Sequence, residues 1–123
     1  MKIHIKNGRL IDPASGTDAM QDVFIAAGRI VATGAAPAGY SANRTIDATG
    51  LVVCPGLVDL AVRLREPGFE YKATLESEMH AAAAGGVTSL ACPPDTDPPL
   101  DEPGLVEMLK FRARNLNLSH VYP

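Results

Sequence analysis

The amino-acid sequence predicts an α/β protein in two parts: β-sandwich strands in residues 1–53, followed by a parallel βαβαβ unit in residues 54–123. The first part is predicted by apolar residues that alternate with polar ones and by closely spaced turn signals, as in sandwiches of short antiparallel strands. The second part is predicted by continuous apolar runs separated by two helical patterns, because strands of a parallel sheet are buried on both faces.

In the N-terminal part, residues 2–10 alternate between apolar and polar side chains and predict a half-buried strand. Asn7-Gly8 lies within this stretch and is typical of a two-residue hairpin, so residues 9–11 are expected to resume the strand after that turn. Ala27-Gly28 predicts a second turn. The other predicted strands are residues 21–26, 29–32 and 45–47.

In the C-terminal part, residues 57–64 form a mostly apolar run that predicts a strand buried on both faces. A helix is predicted over residues 74–84, begun by Thr74 and ended by Gly85-Gly86. The unit continues with a strand at 87–92, a helix at 101–115 and a strand at 118–122. Three strands are too few to close a barrel. The chain is therefore expected to be a fragment of a longer protein, or to need a partner that covers its open face.

Composition and charge argue against several classes of function. The net charge of −3 and the absence of a basic run argue against nucleic acid as a partner. No uncharged run of ~18 apolar residues is present, so no membrane span is predicted. Cys54 and Cys92 fit neither a disulfide framework nor a CxxC pair, and both are expected to be small buried side chains. This cysteine pattern favours a reducing, cytoplasmic location.

Two segments carry a family resemblance: PGLVDLAVRLREPGFEYKATLES, which begins at Pro55, and AAAAGGVTSLACPPDTDP, which begins at Ala81. Both resemble the dihydroorotases of the amidohydrolase superfamily, and the resemblance runs in register through the whole chain. The string LREPG is specific within that superfamily. The resemblance implies a TIM-like (β/α)8 barrel that carries a small β-sandwich, with a zinc site at the C-terminal mouth of the barrel. It also implies interconversion of carbamoyl-aspartate and dihydroorotate in pyrimidine biosynthesis.

The metal motif of that family is altered in this sequence. In active members the positions matching Ala61 and Arg63 are both His, and two imidazoles on one strand face are well placed to bind Zn²⁺. Ala61 has no donor atom, and Arg63 carries a permanent positive charge that repels a divalent cation. We therefore expect no metal ligands, no cofactor and no catalytic residue at these positions.

Two further positions match the family's substrate site, and we interpret both as vestigial. Arg65 matches the Arg that grips the substrate carboxylate, and Asp95 replaces an Asn that helps to hold the substrate. A carboxylate at position 95 would repel an anionic substrate. Alternatively, Arg65 is a structural group that pairs with a neighbouring carboxylate: Glu66, Asp59 or Asp95. We also expect Arg63 to neutralise carboxylates left at the mouth, with Asp59 as its candidate partner.

The resemblance implies a dihydroorotase-like protein that has lost its activity and acts as a structural partner of aspartate carbamoyltransferase. A homo-oligomer is also compatible with the sequence. Two alternatives stay open: an active dihydroorotase with a reduced metal site, and a truncated product with no independent function. The three histidines offer no other chemistry, because none lies within metal-ligand spacing of another, and His80 is expected to pair with Glu76 on a helix surface.

Overall fold

The computed structural model describes residues 1–123, which divide into two units, Met1–Pro55 and Gly56–Pro123. The elements, in chain order, are strands β1 (Lys2–Lys6), β2 (Arg9–Asp12), β3 (Thr17–Met20), β4 (Val23–Ala26), β5 (Arg29–Thr33), β6 (Arg44–Asp47), β7 (Val52–Val53) and β8 (Leu57–Asp59), helix α1 (Leu75–Ala84), strand β9 (Val87–Ala91), helix α2 (Pro103–Leu116) and strand β10 (His120–Tyr122). Neither helix is long and apolar enough for a membrane crossing.

The first unit consists of two small sheets, ordered β5-β4-β1-β6 and β3-β2-β7. The expectation of purely antiparallel strands is wrong in part, because β1 pairs with β6 and β2 pairs with β7 in parallel. Both sheets contribute to the buried apolar residues of this unit, which are Leu10, Val23, Phe24 and Ala48. The unit is therefore a small two-sheet β-structure with mixed strand directions.

Asn7-Gly8 does not make the predicted hairpin. Strand β1 pairs with β4 and β6, whereas β2 pairs with β3 and β7, so the dipeptide carries the chain from one sheet to the other. Asn7 has a φ of 63°, and its amide donates a hydrogen bond of 2.9 Å to Asp22. A Cβ on Gly8 would lie 2.6 Å from the side chain of Val53. The corner is thus determined by residues distant in sequence.

The turn at Ala27-Gly28 is confirmed. Both residues have positive φ, 50° and 72°, and they join β4 to β5 as an antiparallel hairpin. Strand β3, by contrast, is absent from the predicted strands, because three of its four residues are exposed and it shows no apolar alternation. It returns beside β2 after a loop in which Asp12 accepts hydrogen bonds from the amide of Ala14 and the hydroxyl of Ser15.

The second unit is the predicted parallel βαβαβ arrangement, with sheet order β10-β9-β8 and only parallel pairs. Helix α1 begins with the predicted cap: Thr74 accepts from the amide of Ser77, and the Ser77 hydroxyl accepts from the amide of Thr74. Gly85-Gly86 ends it, as expected. The two helices and the sheet share one apolar core, formed by Leu64, Leu75, Met79, Leu90, Leu100, Leu109, Ala113 and Val121.

Strand β8 is shorter than predicted and exposed. It ends at Asp59, whose carboxylate accepts the amide of Ala61 at 3.0 Å, a local bond that competes with strand pairing. Because β8 lies at an edge of the sheet, Leu57 and Val58 are exposed rather than buried on both faces. The predicted strand over residues 57–64 is therefore wrong beyond Asp59, and Ala61 and Arg63 lie on the following loop rather than on one strand face.

An aromatic cluster fixes one end of the first unit. His4 stacks on Phe24 with ring centroids 4.5 Å apart, and Phe24 meets Tyr40 edge-on at 5.3 Å. His4 Nε2 also lies 2.7 Å from Asp22 Oδ2. The amide of Asn7 and, to a smaller extent, His4 hold the pKa of Asp22 below its usual value. Asp22 therefore favours the folded state in its ionised form.

We expect Asp22→Asn to reduce the loss of stability of the protein in acid. A carboxyl with a lowered folded pKa contributes stability above its unfolded pKa of about 3.9, and this contribution is lost as the pH falls through the folded pKa. Urea unfolding at neutral and acidic pH should show a smaller decline in the free energy of unfolding for the variant than for the wild type. Asp101→Asn, which removes an exposed carboxylate without a side-chain hydrogen bond, is the control. Equal declines in all three proteins would contradict the prediction.

Candidate functional site

The predicted site residues lie beyond the carboxyl ends of β8 and β9, on two loops that we call the first loop (residues 60–74) and the second loop (residues 92–102). The carboxyl ends of parallel strands are where barrels of this kind place their sites. The amide of Asp97 donates a 3.1 Å bond to the carbonyl of Pro67. Gly68 has a φ of 96°, and a Cβ there would lie 2.2 Å from the Asp97 carbonyl oxygen. The loops can approach this closely only because position 68 is glycine.

Arg63 and Asp95 meet across these loops. Arg63 Nε donates a hydrogen bond of 2.5 Å to Asp95 Oδ2, and both side chains are about half exposed, at 51% and 46%. The structure thus brings together two residues singled out in the sequence. The expected pairing of Arg63 with Asp59 is wrong, because the Asp59 carboxylate accepts the Ala61 amide instead.

Arg65 lies between two buried residues, Leu64 and Glu66, and has a φ of 65°. The alternative in which Arg65 pairs with a neighbouring carboxylate is wrong. Glu66 pairs with Arg112, and the carboxylate of Asp95 is bound by Arg63. Arg65 is thus a half-buried guanidinium without a carboxylate partner.

Glu66 has a structural role in the first loop that the sequence did not indicate. It is 4% exposed, and its Oε1 accepts the amide of Leu75, the first residue of α1, at 2.8 Å. Its Oε2 lies 2.5 Å from Arg112 Nη1 on α2, an ion pair whose angle falls outside hydrogen-bond geometry. One buried carboxylate therefore ties the first loop to both helices. Glu66 stands between Arg65 and Pro67 in the sequence, and nothing local indicates its burial or Arg112 as its partner.

Little space remains between the two loops. The space there is about 10 Å³, at the lower limit of what can hold one water. Its lining includes Arg63, Arg65, Phe69, Cys92 and Asp95. Burial, with a smaller effect of Asp59, raises the pKa of the Cys92 thiol to about 11, so the thiol stays protonated and weakly nucleophilic at neutral pH. Cys92 is half-buried, whereas Cys54 is exposed, which contradicts the expectation that both are buried.

The residues of this chain do not fit a zinc ion. No group of three or more His, Cys, Asp or Glu side chains is close enough to hold a metal. His4 is paired with Asp22 in the first unit, and His80 lies 4.0 Å from Glu76 on α1, the surface pair expected from the sequence. His120 alternates with the buried Val121 on β10 and therefore faces away from the helices. The two positions of the metal motif are occupied by Ala61, which ends in a methyl group, and by Arg63, which ends in a guanidinium.

Comparisons with known proteins agree on one family. A family model described as "Dihydro-orotase-like" matches residues 50–123. A "Dihydroorotase-like protein" of Pseudomonas aeruginosa is 57% identical over 123 residues, covering 100% of this chain and 29% of that protein. A "Dihydroorotase" of Solibacter usitatus is 48% identical over 124 residues, again covering 100% of this chain but 28% of that protein. The chain thus spans less than a third of the length of these relatives.

Solved structures show the same fold. The L-hydantoinase (dihydropyrimidinase) of Arthrobacter aurescens superposes with a TM-score of 0.78 at 30% identity, over 90% of this chain and 24% of that one. Molinate hydrolase superposes with a TM-score of 0.67 at 26% identity, over 98% of this chain and 29% of that one. These proteins are amidohydrolases with TIM barrels, so the chain has the architecture of the N-terminal part of such a barrel with its sandwich strands.

We expect Glu66→Gln to destabilise the protein by about 2 kcal/mol. The amide can still accept the Leu75 N–H, but the charge that pairs with Arg112 is lost and a buried NH₂ group faces the guanidinium. Because Arg112 is about half exposed (49%) and can be solvated, the loss should be smaller than for a fully buried pair. Urea unfolding measures it. The control is Glu102→Gln, an exposed carboxylate without a capping bond. A loss no larger than that of the control would contradict the prediction.

Proposed function

The chain belongs to the dihydroorotase-like family, and we propose that its protein is a non-catalytic member that serves as a structural partner of aspartate carbamoyltransferase. The observation that carries the non-catalytic assignment is the state of the metal motif. Ala61 offers no ligand, and Arg63 is engaged by Asp95 at 2.5 Å. Either change alone would remove one ligand, whereas the two together remove the pair and leave a fixed positive charge in its place.

The chemistry of the family supports this assignment. Hydrolysis of a cyclic amide at neutral pH needs an activated water, and zinc supplies it by lowering the pKa of the water that it binds. A guanidinium does not bind water as a Lewis acid and keeps its proton at any ordinary pH. Two other polar groups beside Arg63 are unsuited as a substitute base, because Glu66 is held by Leu75 and Arg112 and the Cys92 thiol is protonated.

The partner assignment rests on the family. The resemblance implies it, since the family contains non-catalytic members that associate with aspartate carbamoyltransferase. The Pseudomonas relatives carry the name "Dihydroorotase-like protein". The packed core of this chain is retained although the metal motif is altered. This is reasonable if the protein functions through a surface that binds a partner rather than through the mouth of the barrel.

Arg65 favours a second candidate function, an active dihydroorotase with a reduced metal site. The guanidinium that would grip a substrate carboxylate is present and is not engaged by Glu66 or Asp95, which have other partners. In that case, ligands outside residues 1–123 would have to hold the metal.

We expect the purified protein to contain zinc far below one equivalent per chain and to hydrolyse dihydroorotate no faster than buffer does. The physical reason is the loss of both ligands at Ala61 and Arg63. Elemental analysis and an absorbance assay of ring opening measure the two quantities, with a dihydroorotase that carries both histidines as the positive control. Stoichiometric zinc together with hydrolysis would establish the second candidate instead.

We expect the untagged aspartate carbamoyltransferase of the same organism to co-purify with the tagged protein and to co-elute with it in size-exclusion chromatography. A tagged protein of similar size and net negative charge is the control for non-specific retention. If the two proteins elute separately at micromolar concentration and low salt, the structural role is wrong. The zinc and activity measurements do not depend on this result.

A further inference from the structure

We propose that the Arg63–Asp95 ion pair is a lock that holds the second loop against the first loop and keeps the space beside Arg65 closed to small carboxylate ligands. This inference goes beyond the non-catalytic role, because a protein without a metal site can still present an open anion site at the same mouth. In the closed state, Arg63 and Asp95 bind each other at the position where an anion would otherwise bind.

Three contacts hold the two loops together. One is the Asp97–Pro67 backbone bond of 3.1 Å, and the second is the close packing of Gly68 on the Asp97 carbonyl. The third is the Arg63–Asp95 pair, which is the only one of the three made by side chains. Because both of its side chains are about half exposed, this pair can open without exposing the apolar core. It is therefore the contact of the three that can open by itself and that a side-chain substitution removes.

The space behind the pair is too small for a ligand. Its volume of about 10 Å³ holds at most one water and no carboxylate. If the pair opens, two guanidiniums, Arg63 and Arg65, become available two residues apart on the first loop, and the nearest carboxylate moves away. Guanidiniums bind carboxylates with paired, charge-assisted hydrogen bonds, so an opened mouth favours a small dicarboxylate. With the pair closed, Asp95 occupies Arg63 and repels such a ligand.

Amide hydrogen exchange tests the closure. We expect the amide of Asp97 to exchange about two- to fivefold faster in Asp95→Asn and in Arg63→Gln, because an exposed ion pair contributes only a small free energy to closing. The double variant should exchange no faster than either single variant, since one interaction is lost in each. Asp101→Asn, which makes the same charge change in the second loop without breaking a side-chain contact, is the control and should leave the rate unchanged. Unchanged exchange in both single variants would overturn the lock.

Titration with succinate, followed by amide NMR shifts, tests the ligand. We expect saturable binding of succinate to Asp95→Asn, weaker binding to the wild type and to Asp101→Asn, because the closed state competes with the ligand, and loss of binding in Asp95→Asn/Arg65→Gln. Binding to the wild type as strong as to Asp95→Asn, or no binding to Asp95→Asn, would overturn the inference. Neither test measures zinc, hydrolysis or aspartate carbamoyltransferase, so the lock and the proposed function can fail separately.

Discussion

The buried carboxylate of Glu66 is the interaction on which the mouth of the second unit depends. Taking a charged group out of water is costly unless it is paired and hydrogen-bonded. Here the Leu75 amide, the positive end of the α1 dipole and the Arg112 guanidinium meet that requirement together. Because these partners belong to α1 and α2, the contacts of Glu66 fix the position of the first loop relative to both helices. Leu64 and Glu66 are both buried in this loop, and Arg65 between them has a left-handed backbone with a φ of 65°.

The same position of the first loop determines the charge of the mouth. Arg63 and Arg65 bring two permanent positive charges to a loop whose buried carboxylate is already neutralised by Arg112. The second loop brings Asp95 to Arg63. A divalent cation is repelled there, whereas an anion, whether Asp95 itself or a competing carboxylate, is attracted. The electrostatics of this mouth are thus the reverse of those that a metal site requires.

The parts of the fold that the sequence predicts well are those whose causes are local. Helix α1 follows from Thr74, Ser77 and the apolar spacing between them and Gly85, all within a dozen residues. The Asn7-Gly8 hairpin fails because its outcome is decided elsewhere, by a hydrogen bond to Asp22 and by the proximity of Val53. The site shows the same division. The sequence shows directly that Ala61 and Arg63 are not metal ligands. It does not show the partner of Arg63, because Asp95 lies 32 residues away along the chain.

That partnership also changes how the departures from the family are understood. Arg63 beside an asparagine would leave two unpaired guanidiniums close together, which repel each other. Asp95 opposite a histidine would leave a carboxylate without a cation on the facing loop. Each replacement is unfavourable alone, and each supplies the charge that the other needs. The changes at positions 63 and 95 are therefore better understood as one compensated pair of substitutions than as two independent losses. Together they place an ion pair at the mouth of the barrel.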